Sequence, residues 1–141
     1  MSPDDIVGFL TGPPVRPAVL ATVRADGSPH AAPVWIDLDH DGSIVFMTGA
    51  DTVKGRNLIR TGRAALVVDD DRPPFSFVSV EGPVEIVDDD PTARLAWATR
   101  IGGRYMGADQ AEAYGRRNAV PGELLVRLRP ERATGAIDVA G

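Results

Sequence analysis

From Ala18 to Arg129 the chain repeats short runs of alternating or β-branched residues, each closed by a turn of Gly, Asp or Pro. No run of strand–helix–strand units separates them, so a parallel sheet is excluded and neighbouring runs must pair antiparallel. VLATVR alternates Val19, Ala21 and Val23 against Leu20, Thr22 and Arg24, and Ala25-Asp26-Gly27-Ser28 turns it into a second run, Pro29 to Leu38. Asp39-His40-Asp41-Gly42 then leads into Ser43 to Thr48, which completes a three-stranded meander. Ala64 to Val68, Phe75 to Val87 and Glu123 to Arg129 supply further strands, and Arg132 to Val139 a last, frayed one. Gly82-Pro83 interrupts the longest of these and predicts a bulge or bend there. The expected fold is mainly β with flanking helices: a six-stranded antiparallel barrel, closed or nearly so because closure removes exposed edges.

Helices fit around this sheet. Ser2-Pro3-Asp4-Asp5 combines an N-cap, an N1 proline and acids at the positive helix end, and predicts a helix to Leu10, stopped by Gly12-Pro13-Pro14. Thr52 caps a short helix with apolar contacts from Val53, Leu58 and Ile59. Asp88-Asp89-Asp90-Pro91 opens a third, with Leu95, Ala98, Ile101 and Tyr105 at helical spacing, and Gln110 to Asn118 forms a fourth.

With 141 residues, one hydrophobic core suffices, and neither a repeat nor a linker divides the chain. A net charge of -5 argues against general nucleic-acid binding, which needs a basic surface. The absence of cysteine excludes disulfides and thiolate chemistry, and His30 and His40 alone make a poor metal site, so no metal is expected. No apolar run approaches the ~20 residues of a membrane span and no signal segment is evident, which predicts a cytoplasmic protein.

Against this acidic background, KGRNLIRTGR places Lys54, Arg56, Arg60 and Arg63 together without an acid. The start of a helix offers unpaired N–H groups and a positive dipole, so Thr52 to Asn57 can meet a phosphate, with Gly55 allowing close backbone approach. A solvated basic face balancing nearby aspartates explains the charges equally well. Ala31-Ala32-Pro33-Val34-Trp35 can present a flat apolar wall to a ring system, or be an edge strand. Trp35, Phe46, Phe75, Phe77, Trp97 and Tyr105 fit a core as readily as a cofactor pocket. No nucleophile elbow, paired carboxylates, Walker motif or Rossmann glycine pattern occurs, which favours chemistry carried by a cofactor.

Taken together, PAVLATVRADGSPHAAPVWIDLD, TGADTVKGRNLIRTGRAALVVDDDRPPFSFVSVEGPVEIV, ATRIGGRYMG and GRRNAVPGELLVRLRP resemble the pyridoxamine 5′-phosphate oxidase-like superfamily, from about Arg16 to Arg129. They look closest to its actinobacterial flavin/deazaflavin oxidoreductases. The resemblance implies a split β-barrel homodimer with two cofactor sites at the subunit interface. It further implies that Thr52, Lys54, Gly55, Arg56 and Asn57 hold the cofactor phosphate. Pro33, Val34 and Trp35 would lie along the ring system with Met47 and Thr48, and Phe75, Ser76 and Phe77 would come from the partner subunit.

The cofactor implied is coenzyme F420, with FMN as the alternative, and the reaction is hydride transfer between the deazaflavin and a small electron-poor substrate. Arg60 and Arg63 are longer-range attractors for an anionic cofactor tail. A non-catalytic flavin-, deazaflavin- or haem-binding protein is the rival reading. Relatives often carry an aromatic residue near the C-terminus, where this chain has Ala133-Thr134-Gly135-Ala136-Ile137. The chain also lacks a basic C-terminal substrate motif, so vitamin B6 oxidation is not expected.

Overall fold

The computed structural model describes residues 1–87 and 89–141. The expected acidic helix start includes Asp88, which lies outside the described residues.

Helix α1 spans Pro3–Thr11 and opens on a reciprocal cap. The Asp5 N–H donates to the Ser2 hydroxyl at 3.1 Å, and the Ser2 N–H donates to the Asp5 carboxylate at 2.8 Å. Leu10 is buried, and Ile6 and Phe9 pack beside it on the barrel core.

The strands are β1 (Ala18–Val23), β2 (Pro29–Val34), β3 (Ile36–Leu38), β4 (Ile44–Gly49), β5 (Arg63–Asp70), β6 (Ser76–Val87), β7 (Glu123–Leu128) and β8 (Arg132–Ala136). Hydrogen bonds connect them in the order β2-β1-β5-β6-β7-β4-β3, all antiparallel, with β8 added on β6. The run expected as one strand from Pro29 to Leu38 breaks at Trp35, so that its first half pairs with β1 and its second with β4. That bend joins the two ends of the curled sheet. Counted as one bent strand, β2 and β3 complete the six-stranded split barrel, and β8 lies outside the ring.

β6 makes the opposite bend. Its residues up to Pro83 pair with β5, and Val84 to Val87 pair with β7. The switch falls at Gly82-Pro83, where a Cβ on Gly82 would come within 2.0 Å of the Arg129 carbonyl oxygen. Only glycine admits that approach.

Alternation along the strands divides the apolar residues into two layers. Leu20, Ile36, Ile44, Phe46, Leu66, Val78, Val80, Val126 and Leu128 fill the barrel, and Leu58 of helix α2 (Val53–Thr61) closes onto it. On the outer side of β4 and β7, Val45 and Leu125 meet helix α3 (Pro91–Met106) through Ile101, Trp97 and Tyr105.

Two side chains expected in these contacts are exposed. Ile59 is 56% exposed, because α2 turns Gly55, Asn57 and Leu58 inward and the next residue is rotated by about 100°. Leu95 is 45% exposed, because the buried stripe of α3 runs through Ala98, Ile101 and Tyr105 and continues back to Arg94. Phe75 is also exposed, at a left-handed φ of 66° just before β6. A 3-10 turn, Ala108–Gln110, leads to helix α4 (Ala111–Asn118), which packs back on α3.

Candidate functional site

A cleft of about 340 Å³ lies between the outer wall of the barrel and the α3–α4 hairpin, lined among others by Pro33, Val34, Trp35, Met47 and Lys54. These residues come from β2, from the bend, from the outer side of β4 and from the first turn of α2. Ala98 and Ile101 of α3, Asn118 of α4, Glu123 of β7 and Pro17 just before β1 complete the wall.

The floor is fixed by the bend at Trp35. Its indole stacks on Tyr105 with ring centroids 5.1 Å apart and planes 4° from parallel. The Tyr105 hydroxyl accepts the Ile36 N–H at 3.1 Å and donates to the Arg16 carbonyl at 2.8 Å. Burial pushes the Tyr105 phenol above its ordinary pKa, so it remains a donor at neutral pH.

Glycines hold the two helices of the cover together. A Cβ on Gly102 would stand 2.6 Å from the Tyr114 Cβ, and one on Gly115 only 2.1 Å from the Thr99 hydroxyl. An ion pair and a cation–π contact tie the cover to the barrel. Arg100 reaches Asp37 at 2.8 Å, and Arg127 reaches Asp39 at 2.7 Å while also lying 5.5 Å from the Trp97 ring. The Arg127 guanidinium lowers the Asp39 carboxyl to about 2.

The basic end of the cleft is built by the turn from β4 into α2. The Thr52 hydroxyl accepts the Gly55 N–H at 3.0 Å and donates to the Gly49 carbonyl at 2.7 Å, which pins the helix start to the end of β4. Gly55 has no alternative, since a Cβ would meet the Gly49 oxygen at 2.0 Å. Val53 and Lys54 contribute the first-turn N–H groups that an α-helix leaves without intrahelical acceptors. An anion placed there would meet them together with the Lys54 ammonium.

Not every residue expected at the site points into it. Thr48 is buried on the barrel side of β4, opposite in phase to Met47, with its hydroxyl 3.3 Å from that of Thr52. Asn57 is buried as well: its amide nitrogen donates to the Thr22 hydroxyl at 3.0 Å, and its oxygen accepts from Arg60 at 3.3 Å. Arg56 folds over the turn and donates to the Asp51 carbonyl. Arg60 caps the Val23 carbonyl, and Arg63 pairs with Glu131 at 2.9 Å.

Phe75, Ser76 and Phe77 stand at the start of β6, paired through Ser76 and Phe77 with β5, and none of them lines the cleft of its own chain. Sequence reasoning missed Ala98, Ile101, Asn118, Glu123 and Pro17. The first two were legible as an apolar helix stripe, but their proximity to Lys54 follows only from the packing of α3. Glu123 carried no local signal. Burial raises its carboxyl above the ordinary value, partly offset by Lys54.

The chain is 43% identical over 54 residues, 36% of its own length and 38% of the relative's, to a 5a,11a-dehydrotetracycline/5a,11a-dehydrooxytetracycline reductase from Streptomyces rimosus. A conserved hypothetical protein from Mycobacterium tuberculosis superposes with a TM-score of 0.83 at 29% identity, covering 98% of this chain and 86% of that one. An F420 reductase superposes with a TM-score of 0.64 at 28% identity, covering 84% and 89%. The chain spans about two-fifths of the length of the curated relatives it matches. The family model described as pyridoxamine 5′-phosphate oxidase matches residues 3–135, and with the curled antiparallel sheet this makes the chain a member of that oxidoreductase family.

Proposed function

We propose that the protein is an oxidoreductase that uses coenzyme F420 as hydride carrier, with FMN as the alternative cofactor, and acts on a small electron-poor organic substrate. One observation carries the reading. Pro33, Val34, Trp35, Met47 and Lys54, drawn from β2, the bend after it, β4 and α2, meet in one cleft that runs from a flat aromatic and apolar wall to a basic helix start. A tricyclic ring with a phosphate-bearing side chain has this division of chemistry. The similarity to an F420 reductase and to a dehydrotetracycline reductase supports the same class.

In this reading Lys54 and the first N–H groups of α2 hold the phosphate, Thr52 and Gly55 shape the turn, and Arg56 adds charge at its rim. Asn57 and Thr48 act from behind, by fixing the turn to the barrel. The reduced deazaflavin, when bound, supplies the hydride. The chain's own residues bind, orient and shield: Trp35, braced by Tyr105, sets the plane of the ring, and Ala98 and Ile101 exclude water from one side.

The reading includes a homodimer. Val19, Ala21 and Val23 of β1 stand in register with Pro33, Ala31 and Pro29 of β2, and Val19 and Ala21 with Val67 and Ala65 of β5. This outward face is apolar, with Val19 at 40% and Val23 at 47% exposure, and a second copy is its occupant. Pro33 links the face to the cleft, and Phe75, Ser76 and Phe77 of the partner subunit would approach the site across it.

Titration with each cofactor, followed by absorbance and fluorescence, tests the assignment. Tight binding of the deazaflavin, and its oxidation on adding enone, quinone or nitro compounds, is expected. Submicromolar FMN binding with no deazaflavin binding would move the cofactor to FMN.

A further inference from the structure

Glu123 opens β7, and the β4–β7 register sets it opposite Gly49, the last residue of β4 before the turn into α2. Leu124 packs against the barrel core, so Glu123 lies on the outer side, in the cleft that Lys54 also lines. Its Oε1 is 3.5 Å from the point where a Cβ on Gly49 would stand. Three charges face it: Lys54 from α2, Arg94 from α3 and Asp51 from the β4–α2 turn. Among the described residues these act through space, without a hydrogen bond to the carboxylate, and the Nε of Arg94 is buried with no partner.

A carboxylate therefore occupies the neighbourhood of the same ammonium and helix start that suit a phosphate. An ionised Glu123 and a phosphate are like charges in one partly enclosed space, and the arrangement relaxes if the carboxyl is neutral. Resting on the cofactor reading above, we propose that Glu123 couples anion binding at Lys54 to proton uptake: the cleft takes a phosphate-bearing ligand together with one solvent proton, held on the Glu123 carboxyl. Desolvation has already moved this group in the required direction in the free protein. A bound phosphate moves it further.

The sign follows from linkage. A group whose pKa is higher in the complex than in the free protein gains a proton on binding, so affinity rises as pH falls between the two pKa values. Below that window Glu123 is neutral in both states, and above it the repulsion is undiminished. Within it, one coupled proton changes affinity by about tenfold per pH unit.

Isothermal titration with coenzyme F420 and, separately, with FMN between about pH 5 and about pH 8, in buffers of different ionisation heat, measures affinity and proton uptake together. Wild type, Glu123→Gln and Lys54→Ala are compared, with folding checked by circular dichroism and the phosphate's own titration common to all three. The expected result is that Glu123→Gln binds more tightly at the upper end of the range, loses the extra pH dependence and takes up fewer protons. Binding by Glu123→Gln where wild type binds nothing at neutral pH supports the proposal equally. Superimposable pH profiles and equal proton uptake in wild type and Glu123→Gln overturn it, while a Lys54-dependent affinity leaves the cofactor reading standing. Binding that Lys54→Ala does not weaken removes the cleft as the anion site and overturns both, as does the absence of binding of either cofactor in every form at every pH.

Discussion

At the scale of single residues, the basic segment separates into parts with different jobs. Lys54 faces the cleft, whereas Asn57 faces the barrel and joins Thr22 to Arg60. Their substitutions should differ in kind. Lys54→Ala should weaken cofactor binding by about 1.5–3 kcal/mol, the range of a hydrogen bond to a charged group, with an unchanged melting temperature. Asn57→Ala leaves buried polar groups unpaired and should cost about 1–3 kcal/mol of stability, seen as a lowered denaturant midpoint. If Asn57→Ala kept full stability and lost only affinity, the residue would belong in the cleft after all. Gly55→Ala should destabilise for a steric reason, since its methyl group has nowhere to go beside the Gly49 carbonyl.

One carboxylate ties the residue scale to pH. Asp39 titrates near 2, chiefly because Arg127 donates to it, with help from the His40 N–H. Because the folded pKa lies below the unfolded one, the stabilisation is complete above the ordinary carboxylate range, near 3.9, and disappears as pH falls through about 2. Arg127→Met should return the Asp39 carboxyl toward its ordinary value in a carbon-detected NMR titration. An unmoved titration would mean that the neighbouring N–H groups hold it alone.

At the scale of elements, the bends matter more than the strands. Alternation and turn residues made β1, β4 and β7 legible, and Gly82-Pro83 announced the break in β6. Nothing in Val34-Trp35-Ile36 announced the bend between β2 and β3. It depends on Tyr105, about seventy residues further on, which accepts the Ile36 N–H and stacks on Trp35. Tyr105→Phe keeps the stacking but removes two hydrogen bonds, and should cost about 1–3 kcal/mol with a shift in Trp35 fluorescence. The α3–α4 hairpin was predicted as two helices, but its tightness comes from Gly102, Gly103 and Gly115. Gly115→Val should separate the helices, speed amide exchange in α4 and loosen the Asn118 side of the cleft.

At the scale of the whole molecule, the outer face of β1, β2 and β5 is the feature that a single chain leaves unexplained. Val19→Arg places a charge at its centre while the barrel side of β1 is untouched. If the proposed homodimer builds the cofactor site from both copies, the substitution should shift sedimentation from dimer to monomer and weaken cofactor binding at the same time. A monomer that binds the cofactor with full affinity would confine the site to one chain.

Sequence alone determined the antiparallel class, most strand and helix positions, the capped basic start of α2 and the family, because these depend on period, turn chemistry and short motifs. Tertiary structure alone decided which side chains of that basic segment face the cleft, that Thr48 and Asn57 turn inward, and that Glu123 stands beside Lys54. Those outcomes depend on register and on helix packing between segments up to about seventy residues apart. A local pattern states which face of a strand or helix is apolar; it does not state what that face will meet.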